Sequence, residues 1–385
     1  AHRKEILNQA ETAFLDIYPD ATTGYYMGDQ KNKDAEILFA SIHTLGQAEH
    51  LQQFQPTAFD YIIVDEFHHA AAKSYQGLLR HFKPRFLLGL TATPHRTDGA
   101  DIFGLCDNNK LYELNLIDGI SLNKLAPFTY HGIHDKHVDY QRVQWRQGQF
   151  SVEDLENIVN TDPRATQIFE RWQKHKQQRT LAFCVSKKHA EFMTQFFTAQ
   201  GVSCAAVHSS SATQRQEAID GLNSGRFEIL FTVDLFNEGV DIPLIDTVLM
   251  LRPTESKILF LQQLGRGLRK TPQLPHKQLQ VLDFLGNHHV FLNRPQALWG
   301  IENSTQSIKG FIQDYRSQQL DLPTGCELNY DLEVIDWISE WAQSSGAEKI
   351  QNTYERLKNT LGSAPTALEM FQAGQDLGKI RKEWG

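Results

Sequence analysis

The segment YIIVDEFHHA, residues 61–70, places two adjacent carboxylates, Asp65 and Glu66, directly after an apolar run. An unbroken apolar run is typical of a strand whose sheet is covered by helices on both faces. Ligands of such sheets bind at the carboxyl ends of the strands, where this acidic pair would emerge. One carboxylate there can hold Mg²⁺, and its neighbour can orient a water for attack on a phosphate. An acidic pair alone is a weak signal.

A second group of candidate residues is LTATPHR, residues 90–96. Thr91 and Thr93 follow another apolar run, which places two hydroxyls at the same edge of the predicted sheet. The alternative is that Thr93 caps a helix that begins at Pro94. Taken in isolation, the segment favours the helix cap.

The later segment TVDLFNEGVDIP, residues 232–243, arranges Asp234, Glu238 and Asp241 around Gly239 at the end of a predicted strand. Such a turn suits the approach of a backbone to a ribose or a phosphate. A solvated acidic loop is the common alternative.

Two arginines occur in FLQQLGRGLRK, residues 260–270. If this segment is helical, Gln262, Arg266 and Arg269 share one face at positions i, i+4 and i+7. Arginine suits a transferring phosphoryl group, because its planar fork makes two charge-assisted hydrogen bonds and stays ionised. A basic solvated helix face is the alternative.

The elements that would position these residues follow an α/β rhythm. Residues 1–125 alternate helical patterns with short apolar runs, which predicts a parallel sheet with helices on both faces. A second series begins at LAFCV, residues 181–185, and continues to about residue 285. We predict a partial first lobe at 1–130, a linker at 131–162, a second lobe at 163–298 and a helical domain at 299–385. This last domain could extend beyond residue 385.

The last of these regions contains LEVIDWISEW, residues 332–341, which has the stripe of apolar residues expected of a core-facing helix. The helical region could bind DNA, dock a partner or pack on the second lobe, and the stripe favours packing.

Composition limits the classes of function. The net charge is −8 and the pI is about 6.1, which argues against attachment to nucleic acid by bulk positive charge. The basic clusters at 171–179 and 265–270 could still line a local groove. The 4 cysteines are far apart in the sequence and indicate reduced thiols in a cytoplasmic protein. No apolar run in the sequence is long enough to span a bilayer.

In this order, the segments resemble motifs of the superfamily 2 helicases and translocases of the DExH type. DEFH (65–68) corresponds to motif II, TAT (91–93) to motif III, the segment around Gly239 and Asp241 to motif V, and QQLGRGLR (262–269) to motif VI. The resemblance covers about residues 1–295 and is closest to bacterial helicases with a type III restriction-subunit-like motor. It implies two RecA-like parallel-sheet lobes, the first incomplete at its amino terminus, and a small carboxyl-terminal helical domain.

The resemblance also implies a role for each residue in the use of ATP and Mg²⁺. Asp65 would hold Mg²⁺, Glu66 would position the attacking water, and His68 would contact Gln262. Arg266 and Arg269 would reach the γ-phosphate, Gly239 and Asp241 would lie near the ribose, and Thr91 and Thr93 would couple nucleotide state to nucleic acid. Backbone phosphates of DNA would be contacted by Arg3, Thr44, Ser186 and Thr232.

Two features depart from the family pattern. No GxxxxGK[ST] segment occurs in the 385 residues, so the resemblance implies a fragment that begins at motif Ia and hydrolyses ATP negligibly by itself. Gln263 stands where many relatives carry arginine. An RNA helicase, an ATPase-silent scaffold and the motor subunit of a restriction system remain alternatives to a DNA motor. A nuclease or a restriction or repair domain would lie outside this chain.

Overall fold

The alternating strands and helices form two units, residues 1–113 and 114–385. The structure is a computed structural model that describes residues 1, 4–91, 102–146, 149–233, 242–254, 256–302, 304–343, 353–354, 357–358 and 364–372. Among the residues described, no helix has the length and apolar character needed to cross a membrane.

The strands have the following bounds: β1 (Thr23–Met27), β2 (Gln30–Lys31), β3 (Ile37–Ala40), β4 (Tyr61–Asp65), β5 (Phe86–Leu90), β6 (Phe128–His134), β7 (Trp145–Arg146), β8 (Gln149–Phe150), β9 (Thr180–Phe183), β10 (Cys204–Val207), β11 (Ile229–Thr232), β12 (Thr247–Met250), β13 (Leu279–Leu285) and β14 (Glu327–Tyr330). The helices have the following bounds: α1 (Lys4–Ile17), α2 (Ile42–Leu45), α3 (Ala48–Leu51), α4 (Lys73–His81), α5 (Leu116–Ser121), α6 (Val152–Val159), α7 (Asp162–His175), α8 (Lys187–Ala199), α9 (Arg215–Ser224), α10 (Lys257–Leu268), α11 (Asn293–Trp299), α12 (Thr305–Arg316), α13 (Leu332–Gln343) and α14 (Ala367–Gln372).

The first unit contains two small sheets. One has the order β2-β1-β3, and the other is the parallel pair β4-β5. Val64 of β4 is buried, whereas Tyr61 and Ile63 are 71% and 47% exposed. Successive side chains of a strand point to opposite faces, so the residues described cover only one face of this pair. The expectation that both faces of β4 are covered is therefore wrong within the part of the chain that the structure describes.

The second unit has a seven-stranded sheet with the order β10-β11-β9-β12-β13-β6-β14, and all of its neighbouring strands are parallel. Alternate residues of its central strands enter two separate cores. Leu181 and Phe183 belong to one core, and Ala182 and Cys184 belong to the other. Helices on both faces of a parallel sheet are the predicted α/β architecture, and this prediction is confirmed.

Part of the predicted linker at 131–162 is a strand of this sheet. β6 pairs with β13 on one side and with β14 on the other. His131, Gly132 and His134 weaken its strand pattern in the sequence. A Cβ atom at Gly132 would lie 2.1 Å from Tyr330 Cδ1, so the glycine makes room for a ring from a distant strand.

The region predicted as a separate helical domain after residue 299 belongs to the second unit. This is clear for residues 305–343. β14 forms one edge of the sheet, and Val334, Ile335 and Ile338 of α13 belong to the same core as the central strands. The Asp331 carboxylate accepts hydrogen bonds from His134 N at 3.1 Å and from Arg171 NH2 at 2.8 Å. The expectation that α13 packs on the second lobe is confirmed.

Candidate functional site

The acidic pair lies at the carboxyl end of β4. Asp65 is the last residue of this strand and faces Leu90, the last residue of β5. Glu66 then turns the chain with φ 52° and ψ 47°, and its backbone N–H donates to Asp65 Oδ1 at 2.9 Å. A left-handed conformation costs a residue with a side chain about 1–2 kcal/mol. Backbone strain of this kind is concentrated at functional sites, and here it falls on one of the two candidate carboxylates.

His68 connects this turn with the end of β5. Its Nδ1 atom lies 3.3 Å from Glu66 Oε2 and 3.1 Å from Thr91 Oγ1. The His68 side chain is buried, whereas Asp65 and Glu66 are partly exposed. The structure therefore brings together four of the predicted residues: Asp65, Glu66, His68 and Thr91. Thr93 lies outside the described residues, and the contact of His68 with Gln262 stays a prediction.

Phe67 and Gly89 fix the acidic turn by packing. Phe67 is buried, and a Cβ atom at Gly89 of β5 would lie 2.5 Å from Phe67 Cγ. The glycine thus makes room for the ring that anchors the turn. We did not single out Gly89 from the sequence, although a glycine inside an apolar strand is a signal of close approach.

The second unit carries Gln262 and Arg266 on α10. Ser256 caps this helix, and its Oγ accepts from Leu259 N at 3.3 Å. Arg266 is 9% exposed, and Gln262 is partly buried.

The helix itself does not include Arg269, because α10 ends at Leu268 and Arg269 is the residue after it, with φ −65° and ψ 133°. Two partners from outside the helix take the carbonyls at this end. Ala126 N donates to Leu268 O at 2.8 Å, and Lys277 Nζ donates to Arg269 O at 3.0 Å. The expectation that the helix includes Arg269 is wrong for this reason, and the face that its side chain shares with Gln262 and Arg266 stays a prediction.

Buried arginines hold the segment that leads into α10. Arg294 NH1 donates to Thr254 O at 2.8 Å, and Arg294 Nε donates to Asp283 Oδ2, also at 2.8 Å. Arg164 NH2 donates to Leu251 O at 3.0 Å. Both arginine side chains are fully buried. We did not identify these residues from the sequence, since no local pattern marks an arginine that becomes buried.

The predicted contact of Thr232 with a phosphate does not fit the structure. Thr232 is fully buried, and its hydroxyl donates to Ala182 O at 3.1 Å. The side chain therefore points into the sheet. The next residue of the chain, Val233, is partly exposed.

Two other predicted contacts with nucleic acid lie at helices. Ser186 caps α8, and its Oγ accepts from His189 N at 3.2 Å. Thr44 lies in α2, and its Oγ1 accepts from Gly28 N at 3.2 Å. Each hydroxyl accepts in these bonds and could donate its proton to a phosphate. Arg3, Gly239 and Asp241 lie outside the described residues.

Comparison with known proteins places the two units in one family. Residues 1–96 match the model for the type III restriction enzyme res subunit, and residues 161–271 match the model for the helicase conserved C-terminal domain. The inferred ATP-dependent helicase IRC3 of Saccharomyces cerevisiae is 29% identical over 315 residues, covering 78% of this chain and 45% of that protein. The DNA 3'-5' translocase XPB2 of Sulfurisphaera tokodaii is 23% identical over 306 residues, covering 69% of this chain and 66% of that protein.

Among solved structures, the fragment of an inferred HsdR subunit of a type I restriction enzyme from Vibrio vulnificus aligns with a TM-score of 0.55 and 25% identity. The alignment covers 68% of this chain and 50% of that one. The chain spans about half the length of the curated relatives that it matches first, 45% and 56%. The two family matches in this order, the parallel sheet and these relatives show that the chain belongs to the superfamily 2 helicases, with a motor of the type III restriction-subunit kind.

Proposed function

We propose that the chain is the motor core of an ATP-dependent DNA helicase or double-strand DNA translocase. One observation carries the proposal: Asp65, the strained Glu66, His68 and Thr91 meet at the carboxyl ends of two parallel strands. ATP would be hydrolysed with groups from both lobes. The first lobe corresponds to the first unit, and the second lobe begins within residues 114–162 and includes β6.

The residues of the first unit fit a magnesium nucleotide. Carboxylate oxygens are the ligands that Mg²⁺ prefers, and Asp65 presents one at the partly exposed end of β4. The ion, when bound, neutralises charge on the phosphates. Glu66 would orient the attacking water, and His68, within 3.3 Å of its carboxylate, would hold that carboxylate in place.

The second unit would supply positive charge to the transferring phosphoryl group. Arg266 and Arg269 are the proposed arginine fingers, a role worth about 10³–10⁵ in rate in phosphoryl-transfer enzymes. Gln262 would contact His68, and Gly239 and Asp241 would lie near the ribose. Thr91 and Thr93 would pass the nucleotide state to the nucleic-acid track.

DNA is the proposed track. XPB2 is named as a DNA translocase, and this relative supports DNA over RNA. Thr44 and Ser186, with Arg3, would contact backbone phosphates, which position the strand without reading its sequence. Thr232 is not part of this proposal because its hydroxyl is buried. A nuclease or restriction partner would belong to another domain or subunit, as the HsdR likeness favours.

This chain should by itself hydrolyse ATP negligibly, because its 385 residues contain no GxxxxGK[ST] segment to cradle the β- and γ-phosphates. The test measures ATP hydrolysis by this chain and by the complete gene product, each with double-stranded DNA, single-stranded DNA or RNA. We expect turnover by the complete product alone, stimulated by DNA and lost in Glu66→Gln. Stimulation by RNA alone would make the protein an RNA helicase, and absence of turnover would favour a scaffold.

A further inference from the structure

Lys277 is a buried lysine between α10 and β13. Its side chain is largely enclosed, with the residue 6% exposed. Its Nζ atom donates to Pro243 O at 2.9 Å and to Arg269 O at 3.0 Å. Lysine is almost never fully buried unless its ammonium group is paired. Here the partners include backbone carbonyls from two distant parts of the chain.

Both carbonyls belong to segments that the proposed function assigns to the nucleotide. Pro243 closes TVDLFNEGVDIP, two residues after Asp241. Arg269 is a proposed arginine finger at the exit from α10. The Lys277 ammonium thus joins the backbones of motifs V and VI. Its charge also lies at the carboxyl end of α10, where a cation is favoured by the helix dipole.

The contact at Arg269 holds the backbone carbonyl next to the Cα atom that carries its side chain. Arg269 has a helical φ of −65° and an extended ψ of 133°, so the chain leaves the direction of the helix just after the Cα atom that carries this side chain. If Nζ of Lys277 were absent, Arg269 O would lose this donor, and the chain after Leu268 would lose one of its attachments. A displacement of about 1 Å at a reacting group can cost about 100-fold in rate.

We propose that Lys277 is a positioning residue, which holds the motif V and motif VI segments together so that Arg269 presents its guanidinium group to the nucleotide. The inference rests on the proposed function. It assigns Lys277 no contact with substrate, since its ammonium group acts through the backbone of Arg269 and Pro243.

The test uses the complete gene product with Lys277→Met and Lys277→Arg. Methionine keeps the length of the side chain but removes the charge and the donors, whereas arginine retains both. We expect Lys277→Met to lower kcat about 10- to 100-fold with KM for ATP nearly unchanged, the pattern of an interaction made in the transition state. We expect Lys277→Arg to recover most of kcat.

Arg226→Met is a matched control. Arg226 NH2 donates to Glu217 O at 3.3 Å and to Glu217 Oε1 at 3.0 Å, so it too holds a backbone carbonyl of a helix. Glu217 lies in α9, outside the proposed motifs. We expect Arg226→Met to leave kcat unchanged. An unchanged kcat in a folded Lys277→Met would overturn the proposal.

Hydrogen exchange separates this inference from the proposed function. In Lys277→Met, amides of residues 242–246 and 266–271 should exchange faster than in Arg226→Met, whether or not the protein hydrolyses ATP. If wild type has no activity, the proposed function fails. The exchange pattern still tests whether Lys277 holds the two segments together. If Lys277→Met does not fold, Lys277→Gln replaces it, with faster exchange expected in both segments. Unchanged exchange in a folded variant would show that Lys277 does not hold the two segments together, and would overturn the proposal.

Discussion

Glu66 and His68 meet inside one turn, with His68 Nδ1 3.3 Å from Glu66 Oε2. The same turn holds Glu66 in the left-handed region at φ 52°. The contact and the strain have one source, because the chain reverses immediately after β4 and Phe67 anchors the reversal under Gly89. The two carboxylates thereby have different partners, His68 for Glu66 and the Glu66 backbone N–H for Asp65, which suits two adjacent acids with different tasks.

Replacing Glu66 by glycine should stabilise the protein while abolishing ATP turnover by the complete gene product. Glycine adopts the left-handed conformation without the penalty of a Cβ atom, so the free energy of unfolding should rise by up to about 1 kcal/mol. Urea denaturation measures this change. Gln318→Gly, at an exposed residue with φ 56° in the second unit, is the control that should relieve strain and keep activity. A destabilised Glu66→Gly would show that the Glu66 side chain outweighs the strain.

Adding one methyl group at Gly89 should disturb the acidic turn. The Cβ atom of Gly89→Ala would lie 2.5 Å from Phe67 Cγ, so the ring must move. Such overpacking costs about 1–3 kcal/mol of stability, and ATP turnover should fall with it. Gly77→Ala is the control, because its Cβ atom would lie at an ordinary 3.9 Å from Leu51 Cδ1, and alanine favours the helix. Full activity in Gly89→Ala would contradict the role of this packing.

The buried pair of Arg294 and Asp283 should be costly to break. Arg294→Met leaves the Asp283 carboxylate inside the second unit, and Tyr130, which donates to Asp283 Oδ2 at 2.8 Å, cannot replace the lost charge. We expect a loss of about 3–5 kcal/mol in the free energy of unfolding. The exposed pair of Arg316 and Asp336 provides the comparison, since Arg316→Met should cost less than about 1 kcal/mol. Equal losses of unfolding free energy in the two variants would show that the buried pair stabilises the protein no more than the exposed pair does.

Thr232→Val should leave DNA affinity unchanged. Valine is similar in shape, and the lost hydrogen bond to Ala182 O lies within the sheet, so only stability should fall, by about 1 kcal/mol. Ser186→Ala and Thr44→Val should weaken binding, as measured by fluorescence anisotropy at several salt concentrations. If Thr232→Val binds DNA as weakly as Ser186→Ala and Thr44→Val do, the phosphate contact expected for Thr232 from the sequence would be restored.

Acid should destabilise the second unit through His175. Burial lowers the pKa of His175 to about 4, and the charges of His131, Lys174 and Arg171 act in the same direction, opposed by Asp331. The unfolded chain therefore binds the proton more tightly than the folded one. The contribution to stability is complete above about pH 6.5 and is lost as the pH falls toward 4. Urea denaturation at several pH values gives the free energy of unfolding as a function of pH. His175→Gln should reduce the slope of this curve between pH 4 and 6.5 and leave it unchanged above pH 7. An unchanged slope between pH 4 and 6.5 would contradict the lowered pKa of His175.

The sequence by itself determined the local parts of this structure. Apolar periodicity predicted the α/β class and most strands of the second sheet, because burial on both faces leaves continuous apolar runs. The acidic pair after β4 and Thr91 after β5 were placed correctly at one edge, since parallel neighbours end together. Four spaced segments were enough to indicate the family, because each has a fixed residue pattern.

The tertiary structure decided what depends on partners distant in the chain. β6 became a strand of the second sheet because the Tyr330 ring packs against Gly132 and β13 supplies the hydrogen bonds. α10 ended before Arg269 because Ala126 and Lys277 take its last carbonyls. Thr232 is buried because its strand lies inside a sheet covered on both faces, where its hydroxyl donates to Ala182 O of a neighbouring strand. Contacts of this kind stabilise one arrangement only when the whole sheet has formed, and no local pattern of residues encodes them.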